Sequence, residues 1–437
     1  MALVHPKSCE SVHTGLDLFS LPPTQTSVKD GQWVEYHPLA TLAPNAPIEF
    51  AISGATADYI DLKNSFLHVR ANVLRAADGT RPAADAAVFA PVNYWMHSLF
   101  SQVDVLLNDV LVTPSENTYP YRAYIESTLN YGREAKESHL GLALYYQDTA
   151  GQFNSLVPAN NEGFASRQGH AVQGRIIDMT GRPHCDIFHQ NRYILNGVDI
   201  KVRLVPSKSA FNLMSANDVY KSNILHASLF IRKIRLNPSV SLAHAKALER
   251  GTAKYPVKRV VVKTFSIPQG NLGAVQDNLF LSQTPNKLVI GLVNSTAFNG
   301  TSAENPFQFG QHGLSFISLY LDGKQVPSKP LQPVYATGQY ARSYHNLMVT
   351  SGLTNQDAGS NINRSDYANG FTFYSIDMTP SLLDDDELFE LVKSGALRME
   401  LKFNAPLPNS VTVVVWAEMD SIIEIDRTRQ VLTDFSL

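Results

Sequence analysis

SLFSQVDVLLNDVLVTP (98–114) and GLSFISLYLDGKQVP (313–327) carry one pattern twice, and reading them as copies decides the fold. In the first, Val103, Val105 and Leu107 alternate along the chain and run into Asn108-Asp109. In the second, Ile317, Leu319 and Leu321 run into Asp322-Gly323. A short return strand follows each turn, through Val112 or Val326. Asn, Asp and Gly tolerate the positive φ of tight β turns, so each stretch predicts a hairpin. After a gap, each copy continues into a tyrosine-bearing segment, YRAYIESTL (121–129) or YARSYHNLM (340–348).

Outward from these hairpins, three further pairs recur in the same order. NGVDIKVRLVP (196–206) matches SGALRMELKFNAP (394–406), each a glycine followed by strict alternation. Val198, Ile200, Val202 and Leu204 alternate with Asp199, Lys201 and Arg203; Leu397, Met399, Leu401 and Phe403 alternate with Arg398, Glu400 and Lys402. Period-two alternation predicts strands with one buried and one wet face. ILHASLFIRKIRL (224–236) corresponds to VTVVVWAEMDSIIEI (411–425), and YIDLKNSFLHVRANV (59–73) loosely to LFLSQTPNKLVIGLV (279–293). Four pairs in one order predict two β domains of one design.

Size and composition agree. A chain of 437 residues exceeds a single core, and 44% hydrophobic residues are enough to fill two. Only 17% of residues are charged and the net charge is −3, which excludes wholesale binding to a polyanion. The first 31 residues hold Lys7 and Lys29 as their only Lys or Arg, so they form no basic arm for nucleic acid. Cys9 and Cys185 cannot build a disulfide framework, which points to a reducing compartment. No charged-then-apolar leader and no run of about 18 apolar residues stands out, so a soluble protein without a transmembrane segment is expected. Sequons at Asn294, Asn299 and Asn363 read as chance occurrences in polar loops.

Along the chain, residues 1–45 read as an extended arm with Pro22-Pro23, and strands begin near Ile48–Ile52. RAADGTRPAADA (75–86) reads as an exposed loop, and 119–139 has helical spacing. Long polar insertions are expected at 147–185 and 350–370. SVSLAHAKALERG (239–251) predicts a connecting helix, with Ser241 as cap and Gly251 as stop. DDDELFELVKSG (384–395) predicts a second helix, with its aspartates at the positive end and Lys393 and Gly395 at the other. The organisation expected is an arm at 1–45, a first roll at 46–238, a linker at 239–256, a second roll at 257–426 and a tail at 427–437.

Catalytic signatures are missing: there is no G-x-S-x-G, phosphate loop, H-E-x-x-H or dinucleotide fingerprint. The densest cluster, RPHCDIFHQNR (182–192), brings His184, Cys185, Asp186 and His189 together in sequence; a polar loop explains it better than a zinc site with spaced ligand pairs. Asp384, Asp385, Asp386 and Glu387 read as a helix start in preference to a calcium site. Tyr335, Tyr340 and Tyr344 are candidates for stacking on sugars, or for packing near the hairpin. No catalytic, cofactor-binding or metal residue is assigned, and a non-enzymatic protein is expected.

Several segments carry a family resemblance: LDLFSLPPTQTSV (16–28), DYIDLKNSFLHVRANV (58–73), VNYWMHSLFSQVDVLLNDVLV (92–112), YPYRAYIESTLNYG (119–132) and FHQNRYILNGVDIKVRL (188–204). They resemble the double jelly-roll major capsid proteins of eukaryotic DNA viruses and virus-like elements, of the Polinton/Maverick and adintovirus type, related to adenovirus hexon. The resemblance implies an all-β fold of two tandem eight-stranded antiparallel jelly rolls with a few short helices. It also implies that three chains form a pseudo-hexameric capsomer tiling an icosahedral shell, with a penton or minor capsid protein as a further partner. The long loops would then supply trimer contacts or the outer surface, and the arm and the tail after Ile425 would reach neighbours or inner proteins. Synthesis in the host cytosol, assembly in the nucleus and residence in the virion follow as expectations. The rivals are a cytosolic carbohydrate-binding double sandwich and a cupin-like enzyme needing a His/His/Glu metal set on facing strands.

Overall fold

Both expected hairpins close by the same bonds. Asn108 and Asp109 have φ of 47° and 64°, and Asp322 and Gly323 have φ of 48° and 82°, so both turns place two residues in the left-handed region. The Asn108 N–H donates to Asp199 O at 2.9 Å, and its side-chain oxygen accepts from Asp199 N at 2.7 Å. In the second copy the Asp322 N–H donates to Ala396 O at 3.2 Å, and its carboxylate accepts from Ala396 N at 2.9 Å. One residue thus makes the turn and pins the strand that begins next to it.

The coordinates are a computed structural model describing residues 5–83, 88–217, 219–281, 283–381 and 388–433. The first half holds β1 (Val28–Tyr36), β2 (Ile48–Ile52), β3 (Tyr59–Arg75), β4 (Phe89–Pro91), β5 (Phe100–Leu107), β6 (Val110–Leu111), β7 (Ile177–Gly181), β8 (Ile200–Pro206), β9 (Leu213–Ser215) and β10 (Tyr220–Leu236). The second half holds β11 (Ala253–Ile267), β12 (Gly273–Phe280), β13 (Lys287–Asn294), β14 (Leu314–Leu321), β15 (Lys324–Leu331), β16 (Phe373–Asp377), β17 (Leu397–Phe403), β18 (Val411–Ile425) and β19 (Val431–Thr433). The named helices are α1 (Tyr119–Asn130), α2 (Glu162–Ala171), α3 (Pro238–Leu248) and α4 (Ala341–Thr350).

The sheets repeat neighbour for neighbour. The first half pairs β1-β10-β3-β7 and β2-β8-β5-β6; the second pairs β11-β18-β13-β16 and β12-β17-β14-β15. All these pairs are antiparallel. The chain therefore folds as two tandem eight-stranded jelly rolls, with a β4-β9 ribbon added to the first and β19 paired to β18 in the second.

Alternation decides most burial. In β17, Leu397, Met399, Leu401 and Phe403 are buried, while Arg398 and Lys402 are exposed. In β18 the run Val411–Ala417 is buried throughout, because both faces are covered. Val411, Val413, Val415 and Ala417 enter the core of the second roll, whereas Val414 and Trp416 join the cluster continuous with the first roll.

Several expectations are corrected. Residues 28–36 of the supposed arm are the edge strand β1, held along β10 from Val28 to Tyr36. The 147–185 insertion is not one open loop, since it carries α2 and β7. In α3 the cap is Asn237, whose side chain accepts from Ser239 N at 3.2 Å, because Pro238 opens the first turn. Gly251 is not among the residues of positive φ, and the helix closes at Glu249 with φ of −70°. The helix expected at 384–395 lies partly outside the described residues. Its described part is not helical: Lys393 O accepts from Thr284 N at 2.8 Å, and Ser394 bridges Gln283.

Candidate functional site

The tyrosine-bearing segment after the first hairpin becomes α1, and α1 builds the junction between the rolls. Pro120 occupies its first turn, where a missing N–H costs nothing. Every residue from Tyr119 to Leu129 is buried. Tyr124 stacks on Phe307 at 4.3 Å and 4°, and Tyr121 stacks on Phe298 at 5.3 Å and meets Phe307 edge-on at 5.7 Å. Just before the helix, Glu116 accepts from Val262 N at 2.9 Å, so the approach to α1 also ties to β11. Burial raises the Glu116 carboxyl above its usual value.

The polar face of α1 carries a closed set of charges. Arg122 gives Nε to Glu126 at 2.9 Å and Nη2 to Asp186 at 2.6 Å. His184 Nδ1 donates to Glu126 at 2.6 Å, and its Nε2 lies 3.0 Å from the Tyr94 hydroxyl. The His184 backbone N–H donates to the Tyr119 hydroxyl oxygen at 3.2 Å, leaving the Tyr119 hydroxyl hydrogen for His97 Nδ1 at 2.8 Å. Burial opposes ionisation of Glu126, yet Arg122 and the His184 hydrogen bond hold its carboxyl well below the usual range. Burial keeps His97 neutral and pushes the Cys185 thiol up, which removes nucleophilic character from Cys185. Asp186 also accepts from Val260 N at 3.3 Å, joining the charges to β11.

The cluster anticipated at 182–192 is therefore partly assembled. His184 and His189 come together with Glu126, their ligand atoms within 4.8 Å of one another, while Asp186 turns to Arg122 and Cys185 is buried apart. Two of the three candidate ligand atoms already hold partners, because Glu126 and His184 bond each other. Arg122 also holds the other oxygen of Glu126. This set balances buried charge. Sequence reading missed Arg122 and Glu126; their signal was an ion pair at four-residue spacing inside an otherwise apolar helix.

The two long insertions clasp each other within one chain. Arg167 and Asp148, both fully buried, pair at 2.6 Å, and Asn305 of the second half donates to Asp148 at 3.1 Å. Lys136 donates to Ser360 O, Gln147 to Asn361 O at 3.0 Å, and Gly151 N to Asn369 O at 2.7 Å. At Gly370, with φ of 114°, a side chain would meet the Phe153 ring at 2.2 Å, so only glycine lets the insertions close. The described tail also folds back: Arg429 donates to Asn196 O at 2.7 Å, and its own carbonyl accepts from Asn108 Nδ2 at 2.7 Å. These loops and this tail hold the rolls together within the chain.

Tyr335, Tyr340 and Tyr344 form no open platform. Tyr335 stacks on Tyr340 and Tyr340 on Tyr367, while the Tyr335 hydroxyl bonds that of Tyr374 at 2.7 Å. Asp384–Glu387 lie outside the described residues. Among the described residues, no helix is long and apolar enough to cross a membrane. The exposed apolar side chains Leu16, Leu18, Phe19 and Leu21 concentrate on the arm, with Phe19 96% exposed.

No family model matches the chain. A protein of Caenorhabditis elegans described as uncharacterized is 26% identical over 426 residues, covering 95% of this chain and 99% of that one. The Sputnik virophage structure solved by cryo-EM superposes with a TM-score of 0.65 at 12% identity, over 99% of this chain and 94% of that one. The mavirus major capsid protein matches with a TM-score of 0.53 at 11% identity, over 100% and 97% of the two chains. The Faustovirus major capsid protein matches with 0.56 at 11% identity, over 94% and 92%. Matched roll for roll and along nearly its whole length, the chain has the double jelly-roll fold of viral major capsid proteins.

Proposed function

We propose that this chain is a structural major capsid protein, three copies of which form a pseudo-hexameric capsomer that tiles an icosahedral shell. One observation carries the reading: two rolls with identical strand order are locked side by side by buried contacts. Such a chain supplies two like sides of a hexagon, and three chains supply six. A rigid junction suits that purpose, since a tile that hinges between its rolls cannot keep a lattice. The Arg122 charge set and the Arg167–Asp148 pair serve as rivets, and no catalytic step is assigned to them.

With β1 included, the first roll runs over 28–238 and the second over 253–426, leaving residues before 28 as the free arm. The arm makes its described hydrogen bonds locally up to Ser20, which fits a segment awaiting a neighbouring chain or an inner capsid protein. Residence in the virion follows, with a penton or minor protein as further partner and no specific binding of nucleic acid. Purified protein is expected to elute as a trimer and to show six-lobed rings in negative stain. A stable monomer at micromolar concentration overturns the reading. Deleting residues 1–24, which leaves β1 intact, should preserve trimers and prevent closed shells.

A further inference from the structure

Insertions α1 and α4 sit at equivalent places, each between the fifth and sixth of the eight strands of its roll, yet they end differently. From Tyr119 to Leu129, α1 is wholly buried, because the β11-β18-β13-β16 sheet of the second roll and its loops cover it. In α4 only Ser343 and Leu347 are buried; Arg342 and His345 are exposed, and Met348 and Val349 are half-buried. The matching sheet of the first roll is likewise uncovered. Its outer face shows Trp33, 54% exposed, beside Arg232 at 5.4 Å, then Phe66 stacked on Phe230 at 4.9 Å and 12°. Below them lie His68, His226 and Arg70, with Asp178 at the edge. The corresponding face of the second roll presents Val260, Val262, Val289, Val414 and Trp416, all buried.

We infer that the outer face of the β1-β10-β3-β7 sheet receives the α4 flank of a second copy of this chain, repeating between chains the seat that α1 takes within one. The inference rests on the capsomer reading and names its interface. A ring of six like rolls uses one operation at every junction, so the junction visible within the chain is the template for the junction between chains. An α4 with one bare side and a sheet with one bare face are the two halves that this operation leaves over. The chemistry of the bare halves fits chains that exist singly before they assemble: aromatic anchors Trp33, Phe66 and Phe230 are ringed by solvent-reachable polar groups, where the internal junction keeps its polar groups buried and paired. Charge agrees at the rim. Within 341–350 the only formally charged residue is Arg342, with His345 one turn on, and Asp178 on edge strand β7, one oxygen bonded to His68, still exposes its carboxylate. Arg232 is already neutralised by Asp61 at 2.9 Å.

Cross-linking of full-length chains tests this. In a Cys9→Ser background, where Cys185 is buried, one chain carries His345→Cys and a differently tagged chain carries Arg70→Cys. Mixed trimers treated with a short bismaleimide should yield a two-chain adduct containing both tags, and neither variant alone should yield it. Trp33→Ala should raise the concentration at which trimers dissociate by at least about tenfold, with the monomer's melting temperature only slightly lowered by loss of the Asn64 hydrogen bond. Trimers that form without the adduct, or that tolerate Trp33→Ala, overturn this interface and leave the capsomer reading standing. A chain that stays monomeric overturns the capsomer reading and the interface with it.

Discussion

Two sheet faces of the same topology have met opposite fates. The outer face of β11-β18-β13-β16 is apolar and covered by the first roll; the outer face of β1-β10-β3-β7 is aromatic, histidine-bearing and open. Strand order cannot account for this, because it is identical in the two. The difference lies in what alternates with the core residues. β18 places Val414 and Trp416 between its inward valines, and β10 places Phe230 and Arg232 around Ile231. A duplicated fold is thus specialised by the residues on its second face, one side fixed within the chain and the other left for a partner.

The sharpest way to break this comparison is to cut the two faces equally. Trp416→Ala should cost about 3–5 kcal/mol of stability in chemical denaturation, as large aromatic truncations in packed sites do. Trp33→Ala on the open face should cost far less, about 1 kcal/mol in the monomer, for the indole hydrogen bond to Asn64 O and the contact with Arg232. Equal losses would show that the faces are not as different as their burial makes them.

Arg122→Met tests the rivet on the covered side. Glu126 and Asp186 would lose their cation while buried, a change worth about 3–5 kcal/mol at neutral pH. In the native chain Glu126 has a lowered value, so its contribution is present above the unfolded value and lost as pH falls through the folded one. Without Arg122 the sign reverses. The stranded carboxylates take up protons more readily than in the unfolded chain, so the variant should regain stability as pH falls from 7 toward 5. Urea midpoints at both pH values decide it, and a flat or opposite trend refutes the assignment.

The turns should respond alike, because their bonds are alike. Asn108→Ala and Asp322→Ala should each cost about 1 kcal/mol, with the first slightly larger, since Asn108 also holds the Arg429 carbonyl. A loss confined to one roll would mean the equivalence is formal only.

A dependence on pH concerns Lys136, whose ammonium burial pushes down to about 7. The unfolded chain then binds more protons between about pH 7 and 10, so stability should rise with pH across that window. Lys136→Met should remove that slope in pH-dependent melting.

Much of the fold was legible before any coordinates. The alternation in 196–206 and 394–406 names the buried residues of β8 and β17, and Asn108-Asp109 and Asp322-Gly323 name both turns, because a two-residue period and a positive φ are local demands. The unbroken run Val411–Ala417 also carried a signal, since a strand without alternation needs cover on both faces. The edge strand at Val28–Tyr36 was missed because its side chains are mostly exposed, so no alternation marks it. His184, Asp186 and His189 were visible as a cluster, but Arg122 and Glu126, which give it meaning, lie some 60 residues earlier and meet it only through the docking of α1.

The sequence by itself determined the two rolls, their order and their turns, because strand periodicity and turn conformation are properties of neighbouring residues. It also excluded a basic nucleic-acid arm and the familiar catalytic signatures. Only the tertiary structure decided that the long insertions and the tail clasp the rolls from within, that the buried charges close on Arg122, and which sheet face stays bare. Those outcomes depend on groups hundreds of residues apart competing for the same buried volume, and no local pattern records who wins.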